Sequence, residues 1–176
     1  MVSYYTSTKD AWDAMLAACE NATSSIYIEE YAFDDDTIGN HFADILMRRA
    51  QAGIKVRMLL DGWGCYGLSK SDLFTRMQDA GIDITIFRPM TWWRVCLLRG
   101  FPRDHRKLFI LDGNSIIIGG VCIYDEITDW RDTMIALDDP RIVEQSLLLF
   151  NDTWQRAHNN HYNNEDALYH QDGGSD

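Results

Sequence analysis

The sequence predicts an α/β protein: a single domain built on a mixed β-sheet with helices on both faces. Short runs rich in Ile, Val and Leu alternate with longer segments whose apolar residues recur at helical spacing, which is the pattern of strands joined by crossover helices. With 176 residues, 46% hydrophobic content and six tryptophans, the chain is long enough to bury one substantial core. Two apolar runs, 107–111 and 115–121, are separated only by Asp112, Gly113 and Asn114, so that pair reads as a hairpin.

The first helix is expected over 8–21, with Thr8 able to cap it and Trp12, Met15, Leu16 and Cys19 forming its apolar stripe. Residues 25–31 read as a buried strand, 39–51 as a helix ended by Gly53, and 54–60 as a strand. A helix over 69–80 stops at Gly81, and 82–87 is the next strand. After the hairpin come a strand near 133–137 and a helix over 140–156, with Pro140 placed in its first turn. Residues 1–157 therefore make one domain, while 158–176 is polar and Asn-rich and reads as a disordered tail or linker.

The most informative segment lies in the hairpin. His105, Lys107 and Asp112 have the spacing HxKxxxxD and are followed by Gly119 and Gly120. Side chains of a strand alternate with period two, so His105 and Lys107 share a face. An imidazole can attack phosphorus and leave again, dividing one displacement into two, and a lysine beside it supplies a compact positive charge for a phosphoryl group. Packing explains Lys107 poorly, because burying an ammonium without a partner is expensive. Neither a metal nor a cofactor is required. Asp112 has two readings, direct chemistry or a structural role at the turn it begins.

With its surroundings, this motif resembles the phospholipase D superfamily, in its cardiolipin synthase-like branch. Residues 25–64 resemble the strand, helix and strand that open a catalytic half, and 87–126, with FRP, HRKLFILDG and IIIGGVCIYDE, resemble its core. The stretch Trp130-Arg131-Asp132-Thr133 resembles the strand whose acid orients the nucleophilic histidine. The resemblance covers roughly 8–157 and implies a phospholipase D-like fold. It also implies a phospholipid phosphatidyltransferase or phosphodiesterase, with a phosphohistidine intermediate formed on His105. Lys107 would steady the phosphate, and Arg106, Gly120, Cys122 and Glu126 would line the substrate. Asp132 would accept a hydrogen bond from the second ring nitrogen of His105; a salt bridge to Arg131 or Arg156 is the competing reading.

The chain departs from the family at two points. Gly120 and Cys122 stand where the family commonly has Ser and Asn, and a thiol is a far weaker donor than an amide. One lost hydrogen bond to a charged group is about 1.5 to 3 kcal/mol, or roughly one to two orders of magnitude in rate. The family also builds one site from two motifs, and this chain has one: none of His41, His158, His161 and His170 precedes a lysine by two. A homodimer or a second motif-bearing half would complete the site.

Charge separates the function classes. A net charge of -11 opposes approach to nucleic acid, which weighs against a metal-independent, single-motif endonuclease acting as a dimer. A third class is a weakened half that only binds phosphate or lipid. Arg88, Arg94, Arg99, Arg103, Arg106 and Lys107 gather before and within the motif, beside Trp92, Trp93 and Phe101. Trp92, Trp93, Arg94 and Arg99 suit a membrane interface, against the alternative of a loop packed on the core. Four cysteines without CxxC pairing give neither a zinc site nor a disulfide framework, and the three histidines after residue 157 are irregularly spaced for a metal. Residues 1–9 carry no signal-peptide pattern and no run is long enough to span a bilayer, so the expected location is cytoplasmic, peripheral at the inner membrane surface. The acidic residues Glu29, Glu30, Asp34, Asp35 and Asp36 read as a solvated loop.

Overall fold

The computed structural model describes residues 2–90 and 103–159. Trp92, Trp93, Arg94 and Arg99, and the tail from residue 160, lie outside the described residues. One seven-stranded mixed sheet organises the rest. Strands β2 (Ser25–Glu30), β3 (Lys55–Asp61) and β4 (Asp83–Phe87) run parallel. On the other side of β2, strands β5 (Lys107–Leu111), β6 (Ser115–Gly119), β7 (Met134–Leu137) and β1 (Val2–Tyr5) follow one another antiparallel. The spatial order is β1-β7-β6-β5-β2-β3-β4.

Each face of the sheet has its own apolar layer. Helices α1 (Thr8–Asn21), α2 (Thr37–Gln51) and α3 (Asp72–Asp79) bring Trp12, Phe42 and Met77 onto Ile26, Ile28, Met58 and Phe109. Helix α4 (Pro140–His158) lays Val143, Phe150 and Trp154 over Leu59, Leu108, Ile110 and Ile116. The expected mixed sheet with helices on both faces is the architecture observed. Along β5, period-two alternation sends Phe109 and Leu111 to the first layer and Leu108 and Ile110 to the second.

Three local expectations are corrected. Ser7 caps α1, accepting from the Asp10 N–H at 3.2 Å, whereas Thr8 is buried and its hydroxyl donates to the Trp130 carbonyl at 3.0 Å. The helix expected over 69–80 begins only at Asp72, because Ser71 is its cap, and Leu68–Lys70 forms a separate tight turn. Strand β1 was not expected; its pairing partner is β7, at the far end of the domain.

Asp112 resolves into a structural residue. With Gly113 it turns β5 into β6, both at positive φ (53° and 65°), as a tight hairpin of this hand requires. Its carboxylate accepts from the N–H groups of Thr23, Ser24 and Ser25 at 2.7–3.0 Å and from the hydroxyls of Thr23 and Ser24. Partial burial works against ionisation, yet these donors outweigh it and hold the carboxyl well below the usual carboxylate range. A group depressed in this way stabilises the fold above its unfolded pKa of about 4 and loses that contribution as the pH falls. Asp112→Asn keeps the shape and tolerates the turn but removes the charge. It is expected to cost about 1.5–3 kcal/mol at pH 7 in urea unfolding, with the gap to wild type narrowing on acidification.

Candidate active site

The parallel strands β2 and β3 end beside the start of β5, at the point where the sheet changes from parallel to antiparallel pairing. Crevices at the carboxyl ends of strands, where connections diverge, are the usual ligand sites of α/β sheets. His105 stands at this edge, exposed, two residues before β5. Lys107, the first residue of β5, is only 2% exposed and reaches back toward it. Its Nζ donates to the His105 carbonyl oxygen at 2.7 Å and lies 3.0 Å from ring nitrogen Nδ1. Tyr31, directly after β2, packs its ring on both: the two aromatic centroids are 4.4 Å apart, and Lys107 Nζ is 4.9 Å from the tyrosine ring centre. An imidazole and an ammonium are therefore gathered at one exposed edge, with an aromatic wall behind them.

Acidic residues hold this edge from beneath. Asp61, the buried last residue of β3, accepts from Nε and Nη2 of Arg103 at 3.1 and 3.0 Å and from the Asp104 N–H at 3.0 Å. It also accepts from the N–H groups of Trp63 and Gly64, so one carboxylate ties the segment leading into the motif to the loop after β3. Glu29 and Glu30, read from sequence as part of a solvated loop, are instead buried at the end of β2 and point to opposite faces.

On the α4 side, Arg106 pairs with Glu29 at 2.8 Å and with Asp104 at 3.0 Å, and its Nη2 donates to the Thr153 hydroxyl at 2.9 Å. Arg106 was expected at the substrate; strand alternation turns it to the face opposite Lys107, where it is part of a structural network. Burial raises the Glu29 pKa, and the charge and hydrogen bond of Asp104 raise it further, with Arg106 opposing. The buried Glu29 and Asp104 carboxyls thus share the one Arg106 guanidinium.

On the Lys107 side lie Glu30 and Cys122. Burial raises the Glu30 carboxyl to about 8, against the lowering effect of Lys107 and of the nearby N–H groups and Cys122 thiol. Burial, and then the charge of Glu30, pushes the Cys122 thiol up to about 12, so it stays protonated. Cys65 seals the same corner, its thiol donating to the Tyr31 carbonyl at 3.4 Å.

The remaining sequence candidates divide. The ladder β5-β6-β7 ends on Lys107, Gly119 and Met134, so His105 and Asp132 leave the sheet from the same end. A Cβ at Gly120 would lie 2.3 Å from both Asp132 carboxylate oxygens; the glycine is what lets that acid cross the strand end. Asp132 Oδ1 accepts from the Thr133 N–H at 2.6 Å. Asp112 is at the opposite end of β5 from His105. Glu126 is exposed on the turn Asp125–Ile127, where its charge acts on Asp34 and Tyr124. Among the described residues no group of three or more His, Cys, Asp or Glu is placed to hold a metal ion. Tyr31 and Asp61 carry no signal read from the sequence, and Glu30 and Arg103 enter it only as members of an acidic and a basic cluster, although two adjacent glutamates ending an apolar strand are a visible signal.

Residues 15–154 match the family model described as "Cardiolipin synthase, PLD-like domain". A probable cardiolipin synthase of Bacillus subtilis, YwiE, is 33% identical over 158 residues, covering 86% of this chain and 31% of that protein. Cardiolipin synthase 2 of Bacillus anthracis is 31% identical over 166 residues, covering 86% and 32%. The chain thus spans about a third of the length of the curated relatives it matches. Nuc from Salmonella typhimurium, a phospholipase D family member, superposes with a TM-score of 0.70 at 18% identity, over 88% of this chain and 95% of that one. Phosphatidylserine synthase of Haemophilus influenzae does so at 0.65 and 16% identity, over 86% and 36%. At such identities these two structures speak to the fold alone.

The Arg106 network makes a direct prediction. Arg106→Met leaves Glu29 and Asp104 without their cation. Because the arginine side chain is 37% exposed, the expected loss is about 2–3 kcal/mol, below the 3–5 of a fully buried pair, read from urea denaturation.

Proposed function

The chain belongs to the cardiolipin synthase PLD-like domain family, and from that premise we propose that it is one catalytic half of a phospholipid phosphatidyltransferase or phosphodiesterase. The observation that carries this reading is the buried Lys107 ammonium set 3.0 Å from the ring of an exposed histidine. A cation so placed meets the non-bridging oxygens of a phosphodiester whose phosphorus sits at the imidazole. A ring nitrogen of His105 attacks, a P–N bond forms and the first alcohol leaves. A second alcohol, such as that of another phosphatidylglycerol, or water, then attacks phosphorus and breaks the P–N bond, returning the histidine. Asp132, leaving the same sheet end across Gly120, orients the His105 ring.

Protonation of the leaving alcohol falls to a second motif, from a second copy of this chain or from another half. The chain's span of about a third of its relatives supports the need for such a partner. So do Ile142, Leu148 and Leu149 of α4, which are 43%, 65% and 50% exposed and offer an apolar surface to a neighbour. The Trp- and Arg-rich segment between β4 and the motif supplies peripheral contact with lipid headgroups. Among the described residues, no helix is long and apolar enough to cross a membrane.

Incubation with labelled phosphatidylglycerol vesicles tests the reading. Wild type is expected to release or transfer the headgroup, and His105→Ala to lose at least about a thousandfold of that rate, as removal of a covalent nucleophile does. Full activity in the variant would sink the mechanism. Light scattering across a concentration range is expected to give twice the 20.3 kDa chain mass wherever the isolated chain is active; an active strict monomer excludes the two-motif requirement.

A further inference from the structure

Beneath the His105–Lys107 edge is a buried acid that the proposed chemistry leaves unused. Glu30 is 1% exposed at the end of β2, in a strand otherwise apolar on that face. Its Oε1 accepts from the Tyr31 N–H at 3.0 Å, and among the described residues its buried Oε2 has no hydrogen-bond partner. The antiparallel register that pairs Ile28 with Phe109 and Glu29 with Leu108 sets Glu30 across from Lys107, the first residue of β5; the Cys122 thiol after β6, the Cys65 thiol after β3 and the backbone around Tyr31 and Ala32 complete its surroundings. Both thiols are held neutral by burial, so Lys107 is the charge that Glu30 feels. Beyond Lys107 stand His105 and the Tyr31 ring, and Asp61 with Arg103 acts on Tyr31 from the β3 side.

Two buried groups thus share one positive charge with any incoming anion. An ionised Glu30 neutralises Lys107 and competes with a phosphate; a protonated Glu30 leaves the whole ammonium to the ligand. Resting on the reading of this edge as a phosphodiester site, we propose that Glu30 is a positioning residue: wherever it is ionised its carboxylate offsets the charge of Lys107 through space, and it takes a proton from solvent when a phosphodiester anion binds. No bond to the ligand is made by Glu30 itself. The buried carboxyl and the anion act on each other only through Lys107 and through space.

The sign of the effect follows from the acid. Burial has already raised the Glu30 carboxyl to about 8, and an anion beside Lys107 raises it further. Affinity for the anion is therefore full below about pH 8 and falls as Glu30 ionises above it. With a coupling of about one pKa unit, affinity drops about five- to tenfold between pH 7 and 9.5, and binding at pH 8.5 takes up about half a proton.

Dimethyl phosphate, a diester that does not titrate in this range, is the probe. Isothermal titration of the whole chain at pH 8.5, in buffers of different ionisation heat, gives the protons taken up. Repetition from pH 7 to 9.5 gives the affinity profile. Wild type is expected to show the uptake and the decline; Glu30→Gln, neutral at every pH, is expected to show neither, with affinity constant within about twofold. Lys107→Met is expected not to bind. If wild type binds through Lys107 but its proton uptake equals that of Glu30→Gln, the coupling is wrong and the phosphodiester site stands. If wild type binds no better than Lys107→Met, the site reading fails and the coupling fails with it. Should Glu30→Gln not fold, the carbon-13 signal of the wild-type Glu30 carboxyl decides: a titration near pH 8 that moves upward with ligand supports the coupling, and one that ligand leaves in place overturns it.

Discussion

Carboxylates buried at the ends of β2 and β3 must each be answered by a cation, and the segment leading into and through the motif supplies them. Arg103 meets Asp61 and Arg106 meets Glu29, while Lys107 acts on Glu30. An isolated buried charge is far more costly than any single apolar contact can offset. The segment is consequently clamped from three sides, and His105, between these cations, is carried to a defined edge of the sheet against the Tyr31 ring. Removing Arg103 or Arg106 takes the partner from a buried carboxyl at the sheet end, so fold and site are held by the same pairs.

The architecture was legible because it follows from patterns that act locally. Apolar runs, the helical stripe of Trp12, Met15, Leu16 and Cys19, and the Asp112-Gly113 turn state their structure within a few residues. Strand β1 was not legible, since four residues of mixed character become a strand only by pairing with β7. The motif itself was read with its two central residues on one edge. Its surroundings were not: Glu29 and Glu30 looked solvated because acidic residues are rarely buried, and the cations that make their burial tolerable stand far along the chain. Arg106 was misplaced for a simpler reason, since a residue between His105 and Lys107 has to face the other way.

Cys122 takes a different meaning in this setting. As a replacement for an amide it looked like a plain loss of a donor. In the structure it is a small neutral group against a buried carboxyl, next to a buried lysine. An amide there would bring two further donors toward Glu30, whereas a thiol leaves one oxygen unsatisfied. Position 122 therefore bears on the state of Glu30 as well as on any ligand.

The segment that carries Asp132 is fastened by the opposite end of the polypeptide. Thr8 donates to the carbonyl of Trp130, Lys9 pairs with Asp129, and β1 zips along β7 immediately after Asp132. Such contacts close the longest loop in the domain, and loop-closure entropy makes them late events in folding. The parallel strands and the hairpin rest on contacts nearer in sequence and can form first. The acid that lies across Gly120 is thus placed by the short β6–β7 connection and fastened from outside by β1, where the two ends of the domain meet.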